Sequence, residues 1–268
     1  MKYNRINAII AIIAIILLIF AICFIDLAFT KRDQFETTIN DDNITVVSGY
    51  WKIGGKHTHS TYDNWFKNSL KINQRYIFFC NESDVSYIKE FREGLETVYK
   101  SYPLDKFYSK KYVKDNWTDP FHVPSKEIAM IWHEKMHLLK IAKDEDENPT
   151  EFYIWVDAGV CEYRDKPPPT VRLNLKDVNS LPKDKLCYSH IDSYHDVAGT
   201  VLIIHRDAID TIHKKYYEIL ETCDNEEAWK CGSDQVNFTK LLQQHPELFF
   251  KMSEGWAMNL VDLYNDYV

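Results

Sequence analysis

The sequence predicts an α/β protein with a mainly parallel sheet flanked by helices, and three observations favour that fold class. Short apolar runs typical of strands alternate with longer amphipathic runs typical of helices from residue 44 onward. The run at residues 151–156 is continuously apolar and aromatic, as in a strand that is covered on both faces. The chain has 268 residues, 45% of them hydrophobic, which suffices for one sizeable domain.

The elements follow from the pattern in order. Strands are predicted at residues 44–47, 75–80, 151–156 and 198–204, and helices at 61–69, 86–99, 124–143, 208–220 and 234–244. Ser125, Asp207 and Ser233 stand at the starts of the last three helices and are the expected N-caps, because their side-chain oxygens can accept from unpaired backbone N–H groups. Three consecutive prolines at residues 167–169 predict an extended connector.

The N-terminal region predicts a membrane anchor. Residues 8–25 carry no charge and, with their apolar flanks, are long enough to span a bilayer. A cleaved signal peptide is the alternative, but its apolar core is usually shorter, about 7–15 residues, and needs a small-residue cleavage site that this run offers only poorly. We therefore expect a short tail and uncleaved signal-anchor helix at residues 1–29, a polar stem at 30–43 and one α/β domain at 44–268.

Orientation across the membrane rests on weak signals. The basic residues on the two sides of the predicted span nearly balance. Four N-glycosylation sequons, at Asn43, Asn81, Asn116 and Asn237, favour a lumenal domain. The expectation is a type II single-pass glycoprotein, in the endoplasmic reticulum or Golgi if the cell is eukaryotic.

Charge and cysteine content limit the other possibilities. The net charge of −8 argues against a nucleic-acid partner, which usually meets a basic surface. Five cysteines lie outside the predicted span, so at least one stays unpaired or pairs between chains. Cys223 and Cys231 close a short loop and are the expected disulfide in an oxidising compartment.

A zinc-protease pattern occurs at His133-Glu134-Lys135-Met136-His137 on a predicted helix. Zinc needs a third protein ligand, and the extended form of the motif is absent. On a helical wheel His133 and His137 fall on the polar side, so two solvent-facing histidines are the favoured interpretation. Lys135 falls inside the apolar stripe, where it must either snorkel to solvent or pair with a carboxylate or a phosphate.

The end of the strand at residues 151–156 is the most informative candidate site. Open α/β sheets bind ligands at the carboxyl ends of their strands, and here Asp157 and Gly159 follow directly. Asp157 could hold Mg²⁺ or Mn²⁺ if a substrate diphosphate supplies further ligands, and Gly159 would let a phosphate approach the backbone. Arg164 would suit a diphosphate through its fork of donors. A capping aspartate in a solvated turn is the structural alternative.

Two further segments are candidates for the same site. A turn after the first predicted strand could hold a nucleotide base, or could simply place two aromatic residues in the core; it comprises Ser48, Gly49, Tyr50 and Trp51. Asp234 and Gln235 open the last predicted helix, where the helix dipole alone favours an acid. The functional interpretation makes Asp234 a base or a ligand of a sugar hydroxyl, with Gln235 as its neighbour.

These motifs together resemble the HtrL/YibB family over about residues 44–250. The resemblance is carried by Val47-Ser48-Gly49-Tyr50-Trp51, by Pro124-Ser125-Lys126-Glu127 with Trp132-His133-Glu134-Lys135-Met136, and by Tyr153-Ile154-Trp155-Val156-Asp157-Ala158-Gly159 with Tyr163-Arg164-Asp165-Lys166. The family has been linked by bacterial gene context to lipopolysaccharide assembly, and it is similar to GT-A glycosyltransferases. Their Asp-x-Asp metal motif is here Asp157-Ala158-Gly159, which puts a metal requirement in doubt.

The resemblance implies a GT-A-like domain that transfers a sugar from a nucleotide-sugar donor to a glycan or glycolipid acceptor. Donor binding would fall to residues 48–51 with Gly159, Arg164 and Lys135, a Mn or Mg ion or the donor sugar to Asp157, and catalysis to Asp234 and Gln235. Two alternatives remain open. A non-catalytic carbohydrate-binding protein would keep the aromatic residues without depending on Asp157, and a zinc-dependent hydrolase would depend on His133 and His137.

Overall fold

The computed structural model describes residues 43–54, 57–173, 178–192, 196–224 and 227–264. The predicted anchor at residues 1–29, and the predicted stem except for its last residue, lie outside these ranges. Among the helices within them, none combines the length and the apolar character that a membrane crossing requires.

One mixed sheet organises the described residues. Its seven strands run in the order β3-β2-β1-β4-β6-β5-β7. The strands are β1 (Ile44–Tyr50), β2 (Tyr76–Cys80), β3 (Thr97–Ser101), β4 (Phe152–Val156), β5 (Leu186–His190), β6 (Val201–His205) and β7 (Phe249–Glu254). Neighbours among β1, β2, β3 and β4 pair in parallel, as do β5 and β7. Strand β6 runs antiparallel to both β4 and β5. The predicted α/β class with a mainly parallel sheet is confirmed.

Helices cover both faces of the sheet. They are α1 (His59–Ser69), α2 (Val85–Phe91), α3 (Lys126–Glu145), α4 (Arg206–Glu221), α5 (Asp234–Gln244) and α6 (Met258–Asp262). Because strand side chains alternate between faces, adjacent Val46 and Val47 of β1 enter different cores. Val47 joins the core that holds Leu139 of α3, and Val46 joins the core that holds Phe66 of α1.

Several element boundaries were predicted correctly and others were wrong. Ser125 caps α3, since its hydroxyl accepts from the Ile128 N–H at 3.2 Å. Asp207 is not the cap of α4: the helix begins at Arg206, and the His205 ring accepts from the Asp207 N–H. Ser233 occupies the N-cap position of α5 but makes no side-chain capping bond. The helix predicted at 86–99 is also wrong at its end, because Gly94 has a φ of +75° in the turn that leads into β3.

The expected disulfide is present between Cys223 and Cys231. It closes a loop between the end of α4 and the start of α5. Among the described residues, Cys80, Cys161 and Cys187 are free thiols. The disulfide therefore fixes the segment that immediately precedes Asp234.

Candidate functional site

A cavity of about 450 Å³ opens at the carboxyl ends of β1 and β4. Its wall is largely aromatic: six of the seven tryptophans of the chain line it. They are Trp51, Trp65, Trp132, Trp155, Trp229 and Trp256. Lys135, Asp157, Arg164 and Asp234 supply its charged groups. The cavity therefore joins flat apolar surfaces to a few fixed charges, as small-molecule sites usually do.

Lys135 lies at the centre of the charged groups. Its Nζ atom is 3.0 Å from Oδ1 of Asp157 and 2.7 Å from Oδ2 of Asp234, and it donates to the Gly199 carbonyl at 2.9 Å. An ammonium has three N–H donors, so protein acceptors match all of them. The side chain is 4% exposed, and the carboxylates, not solvent, compensate its burial.

Protonation of this cluster follows from its surroundings. Desolvation on its own lowers the pKa of the Lys135 ammonium, but the charges of Asp157 and Asp234 outweigh it and raise that pKa. Lys135 is therefore a permanent cation at neutral pH. Desolvation raises the pKa of the Asp157 carboxyl, and the Asp234 charge adds to this against the opposing effect of Lys135.

Asp157 is the carboxylate that faces the cavity. Its side chain is 36% exposed, whereas that of Asp234 is 6% exposed. The Trp155 Nε1–H donates to Oδ1 of Asp157 at 2.7 Å, so this oxygen has two protein partners. Its other oxygen has no hydrogen-bond partner within the described ranges and is the one available to a ligand.

Asp234 is held from both sides. The Gln235 N–H donates to its Oδ1 at 3.0 Å, and Oδ2 faces Lys135. Gly199 approaches the carboxylate so closely that a Cβ there would overlap Oδ2. Sequence reasoning placed Gly199 in a strand and missed this contact; no local signal could have revealed it, because the partner comes from another element.

Arg164 is oriented by two contacts of a different kind. Its Nε–H donates to the Gly159 carbonyl at 2.8 Å, and its guanidinium carbon lies 3.8 Å from the centre of the Trp65 ring. A Cβ at Gly159 would come within 3.0 Å of the same ring, so glycine preserves the close packing here. No carboxylate pairs with this guanidinium in the part of the chain that the structure describes.

The turn after β1 agrees in part with each of its two interpretations, a nucleotide site and a simple entry of aromatic residues into the core. Gly49, Tyr50 and Trp51 line the cavity. Both aromatic residues are nevertheless buried, and the Trp51 indole N–H is committed to the Tyr102 carbonyl at 2.8 Å. Ser48 is fully buried and donates to the Val156 carbonyl at 2.7 Å, which ties β1 to β4 instead of facing a ligand.

More exposed aromatic groups also line the cavity, and sequence reasoning missed them. The indole of Trp229 stacks on the His122 ring with 4.3 Å between ring centres. Trp256 is 43% exposed at the cavity edge. The one available signal was the number of tryptophans, since each costs much to leave in water unless it packs or binds.

The prediction that His133 and His137 face solvent is wrong. His133 is fully buried, and its two ring nitrogens contact the Tyr216 hydroxyl at 2.8 Å and the Cys231 carbonyl at 2.9 Å. His137 is half-buried, with Nδ1 3.1 Å from Nε2 of His213. The wheel was misleading because α4 packs on the face that we assigned to solvent.

This arrangement does not fit a zinc hydrolase. Glu134, the expected base of the motif, instead accepts from the Tyr108 and Ser109 backbone N–H groups, both at 2.8 Å. Both ring nitrogens of His133 are also engaged. Within the described ranges, no group of three or more His, Cys, Asp or Glu residues is arranged to hold a metal ion.

The donor set at Asp157 also fits a divalent cation poorly. Ala158 and Gly159 stand where a second acid would add a ligand. One Asp157 oxygen already accepts from two donors, and the Lys135 ammonium lies beside it. A cation would therefore meet one remaining carboxylate oxygen next to a fixed positive charge.

The sequons differ in what the fold permits. Asn116 is exposed, and Asn43 and Asn81 are partly exposed. Asn237 is fully buried in α5, and its amide nitrogen donates to the Cys231 and Ser233 carbonyls. A glycan on Asn237 is incompatible with this packing.

Sequence comparison adds little to this geometry. No protein-family model matches the chain, and no curated protein matches it.

Similar solved structures exist at low sequence identity. A glycosyltransferase involved in the glycosylation of the major capsid of PBCV-1 is 16% identical, with a TM-score of 0.38 over 78% of this chain and 81% of that one. The glycosyltransferase GlyE of Streptococcus pneumoniae is 11% identical with a TM-score of 0.43; 78% of this chain aligns with 44% of GlyE, less than half of its length. The 4-diphosphocytidyl-2C-methyl-D-erythritol synthase of Anaerococcus prevotii is 11% identical, with a TM-score of 0.39 over 80% and 89%. Because these TM-scores lie below 0.5, the function of this chain has to be argued from its own site.

Proposed function

We propose that this protein is a GT-A-like glycosyltransferase of the HtrL/YibB type, which transfers a sugar from a nucleotide-sugar donor to a glycan or glycolipid acceptor. One observation carries the proposal: the Lys135 ammonium holds two carboxylates at the base of a tryptophan-walled cavity at the carboxyl ends of the strands. Aromatic walls suit bases and sugar faces, and the charged base suits hydroxyl groups and a diphosphate.

In the proposed reaction, the bond between the anomeric carbon and the diphosphate oxygen breaks, and its electron pair stays on the diphosphate. The acceptor hydroxyl oxygen forms the new bond to that carbon and gives its proton to a carboxylate. Asp157 is the better proton acceptor of the two acids, because it faces the cavity and its pKa is raised.

In this proposal Asp234 is a positioning residue, instead of the base or the sugar-hydroxyl ligand that the sequence suggested. Both of its oxygens are engaged, one by Lys135 and one by the Gln235 N–H. Neither oxygen is left for a substrate hydroxyl, so Asp234 acts by fixing Lys135 against Asp157. Gln235 lines the cavity beside it.

Thermal unfolding of the full chain in detergent, with a panel of nucleotide-sugars, tests the proposal. A saturating donor should raise the melting temperature, since it binds the folded state alone. Asp157→Asn should reduce that rise, and Asp165→Asn, an exposed acid of the same segment, should leave it unchanged.

Product analysis separates the enzyme from the binding protein. Release of nucleoside diphosphate from the stabilising donor, lost in Asp157→Asn, would support transfer. The six cavity tryptophans also suit a carbohydrate-binding protein. Stabilisation by free glycans but by no nucleotide-sugar would favour that second candidate and contradict the transferase.

A further inference from the structure

We propose that Arg164 holds the donor diphosphate in this site and that binding needs no divalent cation. The inference rests on the proposed function, because a nucleotide-sugar is the ligand whose diphosphate must be held. It goes further by naming a fixed side chain for the task that a metal ion would otherwise perform.

The first step is the geometry of Arg164. Trp65 stacks on the guanidinium at 3.8 Å and Gly159 accepts from its Nε–H at 2.8 Å, so two contacts fix the plane of the fork. A third contact holds the backbone, where the Asn68 amide donates to the Arg164 carbonyl at 3.1 Å. A planar fork held in place is suited to two oxygens of one phosphate group.

The second step is the charge balance of the cavity. Asp157 and Asp234 contribute two negative charges, and Lys135 and Arg164 contribute two positive ones. The four charges of the cavity therefore sum to zero without a metal ion. The three N–H donors of Lys135 are matched by protein acceptors, whereas Arg164 donates only its Nε–H within the described ranges. Arg164 is thus the cation with donors left for a ligand.

The third step is the chemistry of the leaving group. When the bond from the anomeric carbon to the diphosphate breaks, an electron pair and its negative charge collect on the departing oxygen. A fixed cation neutralises that charge without reorganising. Arg164 supplies it from the same loop as Asp157, and both side chains line the cavity.

Calorimetric titration of the full chain with uridine diphosphate and guanosine diphosphate, in EDTA or in Mn²⁺, tests the inference. The nucleoside diphosphate that binds should bind with the same affinity in both buffers, within about twofold. Binding only in Mn²⁺ would overturn the inference and leave the proposed transferase standing. Binding of neither nucleotide in either buffer would count against both.

Variants measured in EDTA assign the effect to Arg164. Arg164→Gln should weaken binding of the diphosphate by about ten- to a hundredfold, as expected for lost hydrogen bonds to a charged group. The matching uridine or guanosine should bind the variant and the wild type alike, because the nucleoside carries no phosphate. Lys166→Gln removes an exposed positive charge from the same loop and should change neither affinity. An unchanged diphosphate affinity in a folded Arg164→Gln protein would overturn the inference.

Discussion

At the scale of single residues, Lys135 links the two carboxylates of the cavity. It is a buried lysine on the apolar face of α3, and it is tolerated there because two carboxylates and a carbonyl surround it. Removing one partner of such a cluster leaves an uncompensated buried charge, which costs more than the intact cluster contributes.

Lys135→Met should therefore lower the free energy of unfolding by about 3–5 kcal/mol, because Asp234 keeps a buried charge with no cation beside it. Urea denaturation measures the loss. Lys140→Met, on the more exposed side of the same helix, should cost under about 1 kcal/mol. The double variant Lys135→Met/Asp234→Asn should recover part of the stability, and no recovery would contradict the charge argument.

Gly199 tests the packing of the same cluster. A Cβ at Gly199 would overlap the Asp234 carboxylate, so Gly199→Ala should lower the free energy of unfolding by about 1–3 kcal/mol, a typical overpacking cost. Gly54 is the matched control, because a Cβ there meets no atom of the described residues within 4 Å. Urea denaturation of both alanine variants should separate them, and equal stability would show that the carboxylate moves aside freely.

His133 predicts a pH dependence of stability. Burial lowers its pKa to about 4 from an ordinary 6.5, so the unfolded chain binds the proton first as the pH falls. The contribution of His133 to the free energy of unfolding is then complete above about pH 6.5. It decreases toward pH 4, by up to about 3 kcal/mol.

The pH profile needs a control, because His137 and His213 share the direction of the His133 shift, each with a pKa of about 4. Urea titrations of wild type and His133→Gln between pH 7 and pH 4 isolate the His133 contribution. The slope of the free energy of unfolding against pH should be smaller in the variant than in the wild type, by up to about 1.4 kcal/mol per pH unit. Identical slopes would mean that His133 stays neutral in both states or charged in both.

At the scale of elements, the sequence predicted β1, β2, β4 and β6 and missed β3, β5 and β7, of which β3 and β7 are the two edge strands. β1, β2 and β4 are buried along nearly their whole length, so their apolar runs were visible. β3 lies at an edge and is half exposed, which gave it the mixed composition of a helix end. β7 occupies the other edge, and its pairing with β5 shifts register between Tyr188 and Ser189. Edge strands carry little apolar signal, so their existence depends on the sheet that recruits them.

The candidate site shows the same division. Asp157, Arg164 and Asp234 could be predicted because strand ends and helix starts are locally encoded and converge at one edge of the sheet. Lys135 was conspicuous because it breaks an apolar stripe. The stacking of Trp65 on Arg164 joins α1 to the loop after β4, and no local pattern encodes a contact between such distant segments.

The Cys223–Cys231 disulfide should stabilise the entry to α5. The pair is separated by 8 residues, and the Cys231 carbonyl accepts from both His133 and Asn237. Loop-closure entropy predicts that Cys223→Ser/Cys231→Ser lowers the free energy of unfolding by about 2–3 kcal/mol. Urea denaturation without and with reductant provides the measurement. Cys161→Ser, at a free thiol, is the control, and a double variant as stable as that control would show that the pairing contributes nothing.

At the scale of the whole molecule, the two ends of the sheet differ. At the amino end, the side chain of Asp146 is fully buried and accepts from Arg75 at 2.8 Å and from the Tyr153 hydroxyl at 3.1 Å. Arg75 also donates to Thr45 of β1 at 2.8 Å, so a saturated polar network closes this end. The carboxyl end instead carries the cavity and loops whose polar groups face it. A ligand should therefore change the dynamics of one end only.

Hydrogen exchange with and without the nucleoside diphosphate that binds in EDTA would test this difference. Protection should rise in segments that line the cavity, including residues 49–53, 157–164 and 229–235. Amides around Thr45 and Asp146 should not change, because their network is saturated before a ligand arrives. Arg164→Gln should reduce protection at residues 157–164 more than in the other segments. The reason is that the Arg164 guanidinium would be the link between that loop and the diphosphate. Uniform protection of both ends would contradict a localised site, because it would mean that the ligand stabilises the whole molecule and not the cavity loops.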